Sequence, residues 1–315
     1  LNDLVSVIIL TYRNMDYLKG TINSVLNQDY NNIEIIISDD SSEDFDYNSI
    51  KKLFSKASVN LRKLIIHSNC ENLGTVKNFN NAIKMSNGNL IIPLSCGDEF
   101  ENNSIISLIK SFFNENSYLV CTGKRRLVDE FGNKISVLPS KKDISILVSG
   151  KSKLEKRMYM GNFIYGACTY YRRDVFDKYG LFDEEFKLLE DYPFYLKILH
   201  YGESIGLINE ITIRYRIGGV SSGKKHPLLI EDDKRVYEKI LFPMKYKLGY
   251  VTYRRLRFIY YRKYFKENKR ISRVAVIKYI DIAFLNVMIK IIMKIKDIIN
   301  IDMHIKLIKK FMIFK

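Results

Sequence analysis

The sequence predicts an α/β fold: a mainly parallel β-sheet with helices on both faces, followed by a basic helical extension. Three observations predict it. Short, apolar, β-branched runs alternate with helix-length amphipathic segments through the first 125 residues, the order expected when helices connect parallel strands. An apolar content of 47% over 315 residues supplies a core for one large or two modest domains and excludes wholesale disorder. The charge is segregated: residues 245–315 hold 19 Lys and Arg against 4 Asp and Glu, a net of +15 out of +16 for the whole chain. The body is therefore close to neutral, which argues against a uniformly basic nucleic-acid-binding surface.

Val5–Leu10 (VSVIIL) is β-branched and almost wholly apolar, as a strand buried on both faces should be. Asp16–Asn27 has helical spacing through Leu18, Ile22, Val25 and Leu26. Ile33–Ser38 is the next strand, Tyr47–Ala57 a helix and Leu61–His67 a strand. Thr75–Ser86 is helical, with Val76, Phe79, Ala82 and Ile83 as its apolar positions. A strand at Leu90–Leu94, a helix at Ser104–Asn114 and a strand at Tyr118–Thr122 complete the alternation. Beyond it, Lys134–Leu138 and Ser145–Val148 read as short strands, and Gly161–Tyr171 as a Gly- and aromatic-rich stretch ending in a strand. Glu190–Tyr201 reads as a helix and Ser204–Arg216 as two short strands. From about Pro227 the pattern is helical to the end, with Ile282, Leu285, Met288, Ile292, Ile295 and Ile299 recurring at steps of three or four.

Cys70, Cys96, Cys121 and Cys168 lie far apart with no CxxC spacing, so neither a disulfide framework nor a zinc site is expected and a reducing compartment is the simplest setting. The chain opens on a strand-like run, so no signal peptide is expected. No spanning helix is expected either, because Arg273, Lys278 and Asp281 interrupt the best apolar stretch, Ile271–Lys290.

In open parallel sheets, ligands bind beyond the carboxyl ends of the strands. Four polar clusters fall there. Thr11-Tyr12-Arg13-Asn14 offers a hydroxyl and an aromatic face to a nucleobase, or caps the following helix. Asp39-Asp40-Ser41-Ser42 offers a carboxylate to a base N–H or a ribose hydroxyl, or forms a capping turn. Asn72-Leu73-Gly74 precedes a helix whose first N–H groups can face an anion, or is an ordinary cap. Ser95-Cys96-Gly97-Asp98-Glu99 puts adjacent carboxylates where Mg2+ or Mn2+ needs few protein oxygens if phosphates complete its shell, or leaves them solvated.

Taken together, VSVIILTYRNMDYLKGTINSVLNQDY, IEIIISDDSSED, ENLGTVKNFNNAI and GNLIIPLSCGDEF resemble the inverting family 2 glycosyltransferases of GT-A fold, over about residues 4–220. The resemblance implies a UDP-sugar donor and a divalent cation, Mn2+ or Mg2+. It implies that Thr11, Tyr12 and Arg13 line the nucleoside site, that Asp39 pairs with the base and that Asn72 lies near it. The family's metal element commonly reads Asp-x-Asp or Asp-Asp. Here Ser95 and Gly97 stand at the first acidic positions, and Asp98 is left as the metal-binding carboxylate with Glu99 beside it. FKLLEDYPFY at 186–195 resembles the family's Glu-Asp element, which implies Asp191 as the catalytic base with Glu190 on the acceptor side. Such a base takes the proton of the acceptor hydroxyl as that oxygen attacks the anomeric carbon. Read alone, the same pair is favourable negative charge at a helix N-terminus. Residues 214–222 resemble the loop that closes over the donor diphosphate, with Arg216 and Ser221 as phosphate contacts. Gly218 or Gly219 stands where many relatives carry a metal-binding His, and His226 is either its substitute or a surface residue. Gly166, within GNFIYGA, is expected in the floor of the acceptor site.

The implied organisation is a GT-A catalytic domain at 1–225, with a nucleotide-sugar half at 1–125 and an acceptor half at 126–225, then a basic amphipathic extension at 226–315. Three readings compete for the extension. It docks on anionic membrane headgroups; it packs on the catalytic domain or on a second copy in a homodimer; or it binds nucleic acid through Arg254, Arg255 and Arg257 interleaved with Tyr250, Tyr253, Tyr260 and Tyr261. The first is preferred, and nucleic acid is not expected because no recognised motif accompanies the basic residues. The expected activity is inverting transfer from a UDP-sugar to a hydroxyl of a saccharide carried on polyprenyl diphosphate, in bacterial surface (capsule) polysaccharide synthesis. The expected place is the cytoplasmic side, peripherally on the inner face of the membrane. A transferase that charges polyprenyl phosphate itself and a non-catalytic membrane-associated scaffold are the alternatives.

Overall fold

A strand that is apolar on both faces has to be covered twice, and β1 (Val5–Thr11) is placed accordingly. The computed structural model describes residues 3–54, 61–129, 131–218, 226–288, 291–292 and 294–295. In chain order, α1 (Met15–Leu26), β2 (Ile33–Asp39), α2 (Tyr47–Leu53), β3 (Leu61–Ser68), α3 (Thr75–Met85) and β4 (Leu90–Ser95) follow β1. The strands β3-β2-β1-β4 are neighbours in that order and all parallel. Strand alternation then sorts the side chains. Val5, Val7 and Ile9 join Ile33, Ile35 and Ile37 in one buried cluster with Leu18, Ile22 and Val25 of α1. Residues of the opposite parity face α3, as the 2.7 Å hydrogen bond from Ser38 Oγ to Asn78 Oδ1 shows.

Beyond β4 come β5 (Glu99–Phe100), α4 (Ile105–Glu115), β6 (Val120–Val128), β7 (Lys134–Leu138), α5 (Lys141–Leu147), α6 (Lys151–Met158), β8 (Thr169–Arg172), α7 (Asp174–Tyr179), α8 (Asp191–His200), β9 (Ile205–Arg216) and α9 (Pro227–Arg235). They extend the sheet as β4-β8-β6-β9-β5, with β7 on β6. This half is mixed: β8 runs antiparallel to both its neighbours, β6 is parallel to β9, and β5 and β7 are antiparallel additions.

Three expected elements differ. Ser145–Leu147 is helical, the last turn of α5, with Val148 as its C-cap, and Ser140 caps the start of the helix: its Oγ accepts from the Asp143 N–H at 3.2 Å and donates to Asp143 Oδ2 at 2.7 Å. The two strands expected in Ser204–Arg216 are the single strand β9, whose irregularities are register shifts against β6. The strand expected at Tyr118–Thr122 starts at Val120 and runs on to Val128, its polar Lys124 being paired with β9 and its Arg125 and Arg126 with both β9 and β7.

The chain divides into two compact units, Leu1–Val236 and Tyr237–Lys315. The first includes α9, which lies past the border expected at residue 225. The second contains α10 (Lys245–Leu248), α11 (Tyr250–Tyr264), α12 (Lys269–Lys278) and further helical residues at 280–288, 291–292 and 294–295. Several of its interleaved cations and rings are engaged internally. Arg254 makes a bidentate pair with Asp281 at 2.6 and 3.0 Å, Arg257 lies 4.5 Å from the Phe242 ring centroid, and Tyr260 packs against Phe242 and Tyr264. Of the expected apolar stripe, Ile282 turns inward, Leu285, Met288, Ile292 and Ile295 are exposed, and Ile299 lies outside the described residues. No helix among the described residues is long and apolar enough to cross a membrane.

At the edge opposite the ligand-binding strand ends, Glu34 is fully buried. It accepts from Ser6 Oγ at 2.6 Å and from the N–H groups of Asn87 and Gly88. Burial opposes its ionisation, but these donors outweigh it and hold the carboxyl below its usual range. A carboxyl depressed in the folded state stabilises above its unfolded pKa, and that contribution is lost as pH falls through the folded value. Glu34→Gln is therefore expected to cost about 1–3 kcal/mol in urea denaturation at neutral pH, with the difference from wild type shrinking in acid.

Candidate active site

The parallel register aligns the expected binding residues along one edge. Thr11 is the partner of Asp39, Asp39 of Ser68, and Leu10 of Ser95. Thr11 is buried at the end of β1, with its Oγ1 3.6 Å from Met15 Sδ. Tyr12 is exposed, with the Arg13 guanidinium 5.0 Å from its ring centroid. Arg13 adopts φ +54°, a turn stabilised by its N–H donating to Ser42 Oγ at 2.8 Å. This hydrogen bond links the first two polar clusters.

Asp39 is fully buried. Its Oδ2 accepts from Ser42 N–H at 2.8 Å and Ser68 Oγ at 2.9 Å, and its Oδ1 from Ser42 Oγ at 2.6 Å. A carboxylate has about four acceptor sites, so Oδ1 retains one for a ligand N–H. Asp40 is structural: it accepts from Asn69 Nδ2 and from the N–H groups of Leu73 and Gly74, at 2.8–3.0 Å. It thereby fixes the loop leading into α3. Asn72 is exposed on that loop, and its Oδ1 accepts from Gly74 N–H at 3.1 Å. Gly74, at φ +85°, is needed where it stands: a Cβ would lie 2.7 Å from the Lys187 carbonyl oxygen.

Asp98 follows β4 and is buried. Thr21 Oγ1 accepts from Gly97 N–H and donates to the Asp98 carbonyl, both at 2.9 Å, which anchors this turn on α1. Asp98 Oδ1 accepts from Arg216 N–H at 3.1 Å, while Oδ2 is buried with no hydrogen-bond partner. Burial pushes its pKa up to about 7, against the pull of the Arg216 N–H and the Arg125 and Arg216 cations. A buried acceptor-only oxygen with nothing donating to it is what a hard divalent cation fits. Among the described residues no three His, Cys, Asp or Glu side chains gather as a metal site. Glu99 is committed elsewhere, in a 2.8 Å ion pair with Arg214. His226 caps α9, its Nδ1 accepting from Leu228 N–H at 3.3 Å. Arg216 stacks over Tyr17, 4.8 Å from the ring centroid, and Ser221 lies outside the described residues.

Asp191 opens α8 and is buried, beside a half-buried Glu190. Its Oδ2 accepts from Asn162 Nδ2 at 3.0 Å and Gly166 N–H at 3.2 Å, and its Oδ1 from Tyr192 N–H at 2.6 Å. One acceptor site of Oδ1 is again left over. Gly166 lies hard against both acids: a Cβ there would stand 2.8 Å from Glu190 Oε1 and 3.3 Å from Asp191 Cβ. Burial raises both carboxyl pKa values, and the charge of Asp191 raises Glu190 further.

Three residues of this site carry no sequence signal that singles them out. Arg125 is clasped between Tyr165 and Tyr215, 3.8 and 4.2 Å from their ring centroids, and its cation acts on both Asp98 and Asp191. In sequence it is one of three consecutive basic residues. Asn162 looks like a loop residue until it meets Asp191. Asp232, on α9, is almost fully buried; its Oδ2 accepts from the consecutive N–H groups of Lys187, Leu188 and Leu189, at 2.7–3.2 Å. Its Oδ1 takes a 2.8 Å bond from Arg235, which also donates to the Glu185 carbonyl. The segment entering Glu190-Asp191 is thus held by α9 on one side and by the Gly74 turn on the other.

Known proteins resemble this chain in sequence and in fold. A family profile described as Glycosyl transferase family 2 matches residues 6–180. An uncharacterized glycosyltransferase of Rickettsia conorii is 29% identical over 210 residues, 64% of this chain and 33% of that protein. A Rickettsia prowazekii homologue is 29% identical over 219 residues, 68% of this chain and 64% of that protein. The chain thus spans from one third to about two thirds of these relatives' length. WfaP of Escherichia coli, named as a UDP-Glc:alpha-D-GlcNAc-diphosphoundecaprenol beta-1,3-glucosyltransferase, is 28% identical over 243 residues, 72% of this chain and 83% of WfaP. Among solved structures, S. aureus TarS 1-349 with UDP-GlcNAc superposes at a TM-score of 0.54 and 17% identity, covering 82% of this chain and 81% of TarS 1-349. The mannosyltransferase PcManGT of Pyrobaculum calidifontis, with GDP-Man and Mn2+, superposes at 0.52 and 14% identity, covering 86% and 65%. The fold is shared.

Removal of the Asp232 carboxylate would strand three buried N–H groups and a cation. Asp232→Ala is expected to lose more than about 2 kcal/mol of stability, measured by urea denaturation.

Proposed function

Because the chain belongs to glycosyl transferase family 2, we propose that it transfers a sugar from a UDP-sugar to a hydroxyl of a saccharide carried on polyprenyl diphosphate, with inversion. The observation that carries this reading is that two buried carboxylates, each with an acceptor site left over, feel the charge of one cation. Asp98, with a bare oxygen on the donor side, and Asp191, with a spare acceptor site, both lie within reach of Arg125. The relatives support the choice of substrates: TarS binds UDP and UDP-GlcNAc, and WfaP takes a diphosphoundecaprenol-linked acceptor. Bacterial surface polysaccharide synthesis is the setting such an acceptor implies, with the enzyme on the inner face of the membrane.

The donor's nucleoside lies along Thr11, Tyr12 and Arg13, with Asp39 Oδ1 accepting from the uracil N–H and Asn72 nearby. Asp98 Oδ2 would hold Mn2+ or Mg2+, with most remaining ligands supplied by the diphosphate and water. When bound, such a cation neutralises charge on the departing diphosphate. Arg216 and Ser221 add contacts to that diphosphate. On the acceptor side, Asp191 takes the hydroxyl proton while the oxygen attacks the anomeric carbon and the bond to the β-phosphate oxygen breaks. Gly166 leaves room for this approach, and Asn162, Gly166 N–H and Tyr192 N–H keep the carboxylate aimed. A single displacement from an α-linked donor gives a β-linked product.

Three measurements test these assignments. Asp191→Asn is expected to lower turnover by about 100-fold or more while UDP binding by calorimetry is retained; full turnover would remove Asp191 from the base role. Asp98→Ala is expected to abolish the Mn2+-dependent part of UDP affinity, and unchanged affinity in saturating Mn2+ would count against that assignment. The base works only when ionised and its pKa is raised by burial, so the rate is expected to fall with pH well above the ordinary aspartate value of about 3.9. The pKa of Glu190 is raised further still, by burial and by the charge of Asp191, so Glu190 is already neutral where Asp191 titrates, and Glu190→Gln is expected to leave this acid limb in place.

A further inference from the structure

Two consecutive helical segments of the second unit, α12 and residues 280–288, each bury one side and expose apolar residues on another. Ser272, Ala275, Tyr279 and Ile282 are buried, and Arg254 ties the two segments to α11 by bonding Asp281 and the Lys278 carbonyl. Val274, Ile277, Ile280, Phe284, Val287 and Ile291 are exposed instead, at successive steps of three or four. Ile277 is 73% and Phe284 67% exposed. A helix packed on one side carries polar residues on the other when that side faces water, so a continuous apolar row there marks a contact surface. The charge around the row has one sign. Arg270, Arg273, Lys278 and Lys294 are exposed, and Asp281, the one acid in residues 268–296, is paired with Arg254.

The charge selects the occupant. A second copy would bring one strongly cationic surface, net +15 over residues 245–315, against another. Nucleic acid would satisfy the cations and leave the isoleucines and Phe284 in water. An anionic phospholipid surface satisfies both, with phosphates for Arg and Lys and the headgroup–acyl boundary for the apolar row. We propose that the exposed row Val274–Ile291 lies flat on anionic phospholipid and is the surface by which this protein is held at the membrane. The inference deepens the proposed function, since a lipid-linked acceptor is met there, but the surface is independent of the catalytic chemistry.

The test is flotation of the full chain with vesicles of equimolar phosphatidylglycerol and phosphatidylcholine, against vesicles of phosphatidylcholine alone. The wild type is expected to float with the first, to be released by high salt and to ignore the second. The double variant I277D/F284D changes only exposed side chains, and is expected to bind the anionic vesicles more than about tenfold more weakly. Arg270→Ala with Arg273→Ala, which leaves the apolar row intact, is expected to weaken binding and flatten its salt dependence. Equal flotation of the wild type and I277D/F284D would overturn the proposal. So would a wild-type dimer in light scattering that this variant dissolves without any vesicle binding. Hydrolysis of UDP-sugar in solution separates the two claims: it is expected to be unchanged in I277D/F284D, and its absence from a vesicle-binding wild type would overturn the catalytic reading alone.

Discussion

A buried carboxylate must be surrounded by donors or it will not stay ionised, and this constraint organises the first unit. Asp39 draws Ser42 and Ser68 to the end of β2, and Asp40 draws in the loop from Asn69 to Gly74. Asp232 gathers the N–H groups of residues 187–189, and Asp191 takes Asn162, Gly166 and Tyr192. These acids are fed by groups distant in sequence, so supplying them fixes loops against one another. Asp98 is the exception. One oxygen has the Arg216 N–H and the other has nothing. Beside four acids so fully supplied, that bare oxygen is the one proposed to meet a ligand.

The same economy joins the two halves of the site. Gly74 admits the Lys187 carbonyl to the turn before α3, where the Val76 N–H donates to it at 3.2 Å. Lys187 N–H in turn belongs to the Asp232 cradle, three residues before Glu190. The loop before α3, the segment entering Glu190-Asp191 and α9 are therefore one connected structure. Arg125 adds an electrostatic link, because its charge, held between two tyrosine rings, favours the ionised form of both Asp98 and Asp191. The proposed cation site at Asp98 and the proposed base Asp191 both need that ionised form.

The parallel half of the fold was legible because its signals are local. β1, β2 and β4 are continuous apolar runs, and the polar residues that end them had to reach one edge once the strands were parallel. The helix start at Asp191 was legible one residue off, at Glu190, from the apolar pattern that follows it. What escaped depended on partners far along the chain. Ser145–Val148 has a strand-like pattern, overridden by the Ser140 cap that starts α5 at Lys141. Arg125 sits in a run of basic residues, and only the arrival of Tyr165 and Tyr215 distinguishes it. Asp232 looks like a solvated acid in a charged helix, and nothing local says that three backbone N–H groups converge on it. In the second unit the helical period was readable, but the inward turn of Ile282 was set by packing on α11 rather than by hydropathy.

The proposed reaction is a single displacement driven by one base on the acceptor side. The anomeric configuration of the product tests it most directly. With UDP-glucose or UDP-GlcNAc as α-linked donor, proton NMR of the sugar at its first appearance is expected to show the β anomer. An α-configured product would mean two displacements or front-side attack, and would contradict the role given to Asp191.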